Sequence, residues 1–148
     1  MKKAFTLALV VFVGAVTLLQ AANDRIIQFA QLPNSAKVFV NKFFKGKQVS
    51  YIKEDREIIS KNYELRLADG TEIDFDSKGN WTDVDGKHQA IPVGLIPAAI
   101  LKIVSKHHPS DSIVKIERNR FGYEVKLLSG LEIQLIISKE QSQATTIK

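Results

Sequence analysis

The strongest constraint on this chain is a stretch that occurs twice. Tyr63-Glu64-Leu65-Arg66-Leu67-Ala68-Asp69-Gly70-Thr71-Glu72-Ile73-Asp74-Phe75 is echoed by Tyr123-Glu124-Val125-Lys126-Leu127-Leu128-Ser129-Gly130-Leu131-Glu132-Ile133-Gln134-Leu135. Each copy alternates apolar and polar residues on either side of a glycine, the period-two signature of a half-buried hairpin. A repeat must be recognised before any fold is assigned. Two copies of a unit of about 60 residues are too few for a solenoid, so they point to one domain with internal pseudo-symmetry.

Upstream of each copy lies a similar helix start, Leu32-Pro33 in one and Ile96-Pro97 in the other. The first helix is expected over 34–45, with Ala36, Phe39, Val40, Phe43 and Phe44 at helical spacing, Asn34 or Ser35 as its cap, and Gly46 as its stop. The second is expected over 97–107, with Ile96, Ile100, Ile103, Val104 and His107 on its inner face. In the strands Tyr63, Leu65, Leu67, Ile73 and Phe75 face inward, as do Tyr123, Val125, Leu127, Ile133, Leu135 and Ile137. Asp69-Gly70 and Ser129-Gly130 make the turns, the first read as a two-residue loop with positive φ at both positions. Further strands are expected at 49–53, 81–84 and 113–117. The predicted architecture is α+β: two tandem units (32–88 and 89–138) form one antiparallel sheet with helices on a single face, followed by a polar, frayed tail over 138–148.

The other face of such a sheet is left to solvent or to a partner. It should carry Glu64, Arg66, Glu72 and Asp74 from one unit and Glu124, Lys126, Glu132, Leu128, Gln134 and Ile136 from the other. Ordinary cross-strand pairs account for such charges as well as a binding role does. Trp81, after the Gly79-Asn80 turn, is either an interface anchor or a core residue packed on a helix.

The N-terminus has the three-part pattern of a secretory signal peptide: Lys2 and Lys3, an apolar run over 4–19, then small residues around Ala21 and Ala22. Cleavage is expected near residue 21, leaving a single domain from residue 22 in the periplasm or outside the cell, with no stable membrane insertion. The net charge of +5 falls to +3 when Lys2 and Lys3 are removed, and the basic residues are scattered. Nucleic-acid binding is therefore not expected.

The chain has no cysteine, so disulfides and thiolate metal sites are excluded. His88, His107 and His108 have no zinc-ligand spacing. Asp74, Asp76, Gly79, Asp83 and Asp85 have the flavour of a calcium loop, but Lys78 stands where a third ligand belongs. The segment is read as a hairpin turn with a solvated acidic face. No nucleophile elbow, phosphate loop or dinucleotide fingerprint occurs, so no enzyme and no cofactor are expected.

These residues resemble the PepSY-like family, whose fold is similar to that of the β-lactamase inhibitor protein. The matching pieces are Leu32-Pro33 before a Phe-rich helix, the two Tyr-Glu strands with their glycine turns, Gly79-Asn80-Trp81, and the linker from Ile91-Pro92 to Ile96-Pro97. The resemblance implies a small exported bacterial binding or inhibitory module whose partner, a protein or peptide, docks on the open sheet face. Inhibition of an exported peptidase or β-lactamase-like hydrolase is the narrower alternative, and small-ligand or cation binding is another. A homo-oligomer covering the open face is compatible with the same pattern.

Overall fold

The structure is a computed structural model that describes residues 24–56, 60–137 and, for the backbone alone, 142–147. The expected signal peptide lies outside the described residues. Phe29–Gln31 forms a 3-10 turn before helix α1 (Asn34–Phe43), and Val93–Leu95 forms another before α2 (Ala98–His107). Strand β1 (Arg25–Ile26) precedes the first turn. Four strands follow α1: β2 (Val49–Arg56), β3 (Lys61–Leu67), β4 (Glu72–Phe75) and β5 (Trp81–Asp85). Four more follow α2: β6 (Ile113–Asn119), β7 (Gly122–Leu127), β8 (Glu132–Ile137) and β9 (Ser142–Ile147). All neighbouring pairs are antiparallel, and the strands lie in the sheet in chain order from β1 to β9. The fold is α+β, as expected.

One cross-strand row explains why this sheet holds together. Ile52, Leu65, Ile73, Val84, Ile116, Val125 and Ile133 are successive register partners, and none is more than 2% exposed. Period-two alternation puts every one on the same face, where Ala36, Phe39 and Val40 of α1 and Ile100 and Val104 of α2 complete a single core. Phe39 sits edge-on to Phe75 at 5.7 Å, which docks α1 on the sheet.

Several local expectations change. The tail over 142–147 is a strand whose backbone pairs with β8 from Glu132↔Ile147 to Ile137↔Ser142. It satisfies peptide groups that β8 would otherwise leave open at an edge. Asp69 does not take positive φ. Gly70 alone does, at +93°, with Gly70 N–H donating to Leu67 C=O and Leu67 N–H to Thr71 C=O. That is a three-residue loop with a glycine bulge, and Leu127 to Leu131 repeats it around Gly130. Neither Asn34 nor Ser35 caps α1; Pro33 holds the cap position, and the Ser35 hydroxyl donates instead to the Lys78 carbonyl. His107 is exposed at the end of α2 rather than inward, and Ile137, at the end of its strand, is 53% exposed.

Candidate binding face

Among the described residues the opposite side of the sheet carries no helix. One residue along from the apolar row, the register partners are Lys53, Glu64, Asp74, Asp83, Glu117, Glu124 and Gln134. Glu64, Asp74, Asp83, Glu117 and Glu124 therefore form an unbroken ladder of five carboxylates on five adjacent strands. At ~4.8 Å per strand the ladder runs about 19 Å across the sheet. Like charges directly opposite each other destabilise a sheet, so this arrangement is not one that folding alone would select.

The relief given to the ladder is uneven. Glu64 accepts a hydrogen bond from the Tyr51 hydroxyl at 2.6 Å and lies 3.8 Å from Lys53 Nζ. Lys115 Nζ is 2.8 Å from Asp83, and Gln134 Nε2 donates to Glu124 at 2.6 Å. Asp74 and Glu117 have no ion pair among the described residues. Withdrawal from water by the surrounding strands, and then the charges of Asp83, Glu64 and Glu72, push the Asp74 carboxyl up to about 6. Burial also raises Asp83, against the opposing pull of Lys115.

A parallel row one step further on is mixed in sign. Arg66, Glu72, Asp85, Lys115, Lys126 and Glu132 are successive partners there. Arg66 and Lys87 both pair with Glu72, and Lys87 also reaches Asp85 at 2.9 Å. Lys126 and Glu132 are 3.9 Å apart and half exposed, an interaction of little energetic weight. A trough of about 380 Å³ at one end of the face is lined by Asp55, Asn62, Glu64, Asp74 and Thr82 among others. A shallower one of about 230 Å³ at the other end is lined by Glu124, Gln134, Ile136 and Phe121, the last 59% exposed.

Seven of the eight expected residues thus share one face: Glu64, Arg66, Glu72, Asp74, Glu124, Lys126 and Glu132. Trp81 does not join them. A bulge in the β4–β5 pairing makes Phe75, rather than Asp76, the partner of Trp81 and turns the indole to the helix side. There it stacks on Phe39 at 5.9 Å, lies 6.3 Å from Tyr123, and is covered by the Arg118 guanidinium at 4.7 Å. Lys115 and Glu117 were not expected on this face, and Asp83 was expected only in a solvated acidic turn. The alternations Asp83-Val84-Asp85 and Lys115-Ile116-Glu117 carry the signal that they point outward.

The acidic segment around Asp76 is a turn. Both Asp76 oxygens are engaged, one by the Lys78 and Asn80 amides at 2.9 Å and the other by the Asn80 side chain. Asp74 faces the sheet ladder instead, so the two do not converge. Among the described residues no group of three His, Asp or Glu is placed to hold a metal ion.

The comparisons with known proteins agree with this architecture. The profile of the beta-lactamase-inhibitor-like, PepSY-like family matches residues 61–141. The chain belongs to that family. Its fold matches the crystal structure of a candidate periplasmic protein of the DUF2874 family from Bacteroides vulgatus, with a TM-score of 0.77 and 36% identity over 86% of this chain and 97% of that one. A candidate calcium-regulated periplasmic protein from Bacteroides thetaiotaomicron matches with a TM-score of 0.76 and 36% identity, over 82% and 96% of the two chains. A second Bacteroides vulgatus structure, of unknown function, matches at 0.72 with 37% identity over 76% and 91%. No curated protein matches the chain. Among the described residues no helix is long and apolar enough to cross a membrane.

Proposed function

We propose that this PepSY-like chain is an exported, non-enzymatic binding module that engages a cationic protein or peptide through its open sheet face. It is built from two copies of a helix-plus-strands unit, and it reaches the periplasm after loss of the segment 1–21. The observation that carries this reading is the ladder of Glu64, Asp74, Asp83, Glu117 and Glu124. A row of like charges costs stability when the face is bare and becomes favourable when a row of cations is laid along it. Lys53, Arg66, Lys115 and Lys126 flank the row and fix where acidic groups of the partner sit. The periplasmic description of the Bacteroides relatives supports the compartment. Inhibition of an exported hydrolase is a narrower form of the same reading, and the family name supports it.

Titration of the isotope-labelled chain with a short lysine-rich peptide tests the proposal. In a dilute, monomeric sample amide shifts should concentrate on β3 to β7 and leave α1 and α2 unmoved. Shifts confined to the helices, or none at all, would refute it.

One observation favours a second reading. The Bacteroides thetaiotaomicron relative is described as calcium-regulated, and the ladder supplies the hard oxygen donors that calcium requires. These carboxylates are spread along a row rather than gathered in a loop, which places this reading second. Calorimetry with calcium alone separates the two, because the cation reading requires heat without any peptide.

A further inference from the structure

The charge of this molecule is divided between its two faces. The segments 26–53 and 86–110, which contain both helices, hold no aspartate or glutamate. On their outer surface Lys42, Lys45, Lys102 and Lys106 are exposed, and none of them is in an ion pair among the described residues. Val38, on the same outer side of α1, is 65% exposed. The carboxylate ladder lies on the other side of the sheet.

We infer that the cationic partner of the open face is the helix layer of a second copy of this chain. The inference rests on the reading of the open face given above. It names a second copy because a surface of matching sign, free of carboxylates, stands on the same molecule. Long lysines on the outward sides of two helices can reach a row of carboxylates on flat strands without rearrangement of either backbone. In the contact, lysines of α1 and α2 offset the repulsion among Asp74, Asp83 and Glu117, and Val38 and Phe121 supply apolar surface at its margins. The two surfaces differ, so the pairing is head-to-tail. Each copy keeps one free face of each sign, and association continues past two copies instead of closing as a twofold dimer.

Sedimentation velocity on the purified exported chain tests this, with two charge-reversed variants. Lys42→Glu/Lys102→Glu/Lys106→Glu reverses the helix layer, and Asp74→Lys/Glu117→Lys/Glu124→Lys reverses the open face. All six side chains lie on exposed or half-exposed surface, and circular dichroism verifies that each variant is folded. The wild-type chain should grow in mean mass with concentration at ~10 mM salt, where charges interact over ~30 Å, and return to a monomer near 1 M, where they interact over ~3 Å. Each variant alone should stay monomeric. An equal mixture of the two should associate again, because each then offers the surface the other needs.

A wild-type chain that is monomeric at low salt, or a mixture that fails to associate, overturns the inference. If that monomer still binds a lysine-rich peptide on the open face, the reading of the face survives and only the identity of the partner falls. If it binds neither, both fall. Capture of the wild-type monomer by anionic phosphatidylglycerol vesicles, lost in the helix-layer variant, would reassign the lysines to a lipid surface and likewise overturn the second-copy contact.

Discussion

Asp74 and Asp83 stand directly opposite each other on β4 and β5, and of the two only Asp83 forms an ion pair with Lys115, at 2.8 Å. This pair is the centre of the ladder and its most strained point electrostatically. The Asp74 carboxyl is raised to about 6, first by withdrawal from water and then by its acidic neighbours.

A pH dependence follows from that shift. The folded chain holds the Asp74 proton up to about 6, whereas the unfolded chain releases it near 3.8. Between those values the folded state binds more protons, so its stability falls as pH rises through the window. Asp74→Asn should therefore be more stable than wild type at pH 7, by about 1 kcal/mol once solvent screening of this exposed side chain is allowed for. The difference should vanish below pH ~4. Thermal melts across that range check it, and an unchanged difference at all pH values would mean that the ladder exerts no strain.

The acid limb of the same curve has another origin. Asp69, Asp76 and Asp85 are held below the usual carboxylate range: a backbone amide of Thr71 for Asp69, and side-chain and backbone donors that outweigh burial for the other two. Their contribution is present above their unfolded values and is lost as pH falls through the lower folded ones. Wild-type stability should accordingly peak in mild acid and decline on both sides.

The apolar row is the mechanical counterpart of the ladder. Ile73 and Ile116 are fully buried in it. Replacing either by alanine should cost ~2–5 kcal/mol, because the cavity left between sheet and helices cannot close. Glu117→Gln, on the opposite face, should be neutral or slightly stabilising, since it removes a charge from a like-charged row. Chemical denaturation of the three variants measures both effects in one series.

Gly122 tests how β7 and β8 are joined. Its φ is +148°, and a Cβ there would lie 1.9 Å from the Leu135 carbonyl oxygen. Gly122→Ala must push the two strands apart at that point, with an expected cost of ~2 kcal/mol or more. Hydrogen exchange should show the loss at Leu135 and Ile137 first, with β3 and β4 unaffected.

The sequence carried much of this fold in the local alternation of its strands. The alternation around Tyr63 and around Tyr123 identified β3, β4, β7 and β8, their inward faces and most of the open face, and the Phe-rich and Ile-rich stripes located both helices. What it did not carry were relations between distant strands. The ladder exists only because β5 pairs with β6 and brings Asp83 opposite Glu117. Local alternation places a side chain on a face but does not say which strand lies next to it. Trp81 shows the same limit: the one residue after it, Thr82, is skipped in the register, and that bulge moved the indole to the helix side. The strand over 142–147 was illegible for a related reason, since a polar tail becomes a strand only when a neighbouring edge is there to pair with it.

The most direct test of the account is the binding of a fluorescent lysine-rich peptide, measured by anisotropy at low and moderate salt, to the wild-type chain and to Asp74→Asn/Asp83→Asn/Glu117→Gln. Wild-type binding should be saturable and weaken by roughly tenfold or more as salt screens the face, with a comparable loss in the folded triple variant at low salt. Equal binding by the two proteins would contradict it and remove the carboxylate ladder as the functional surface.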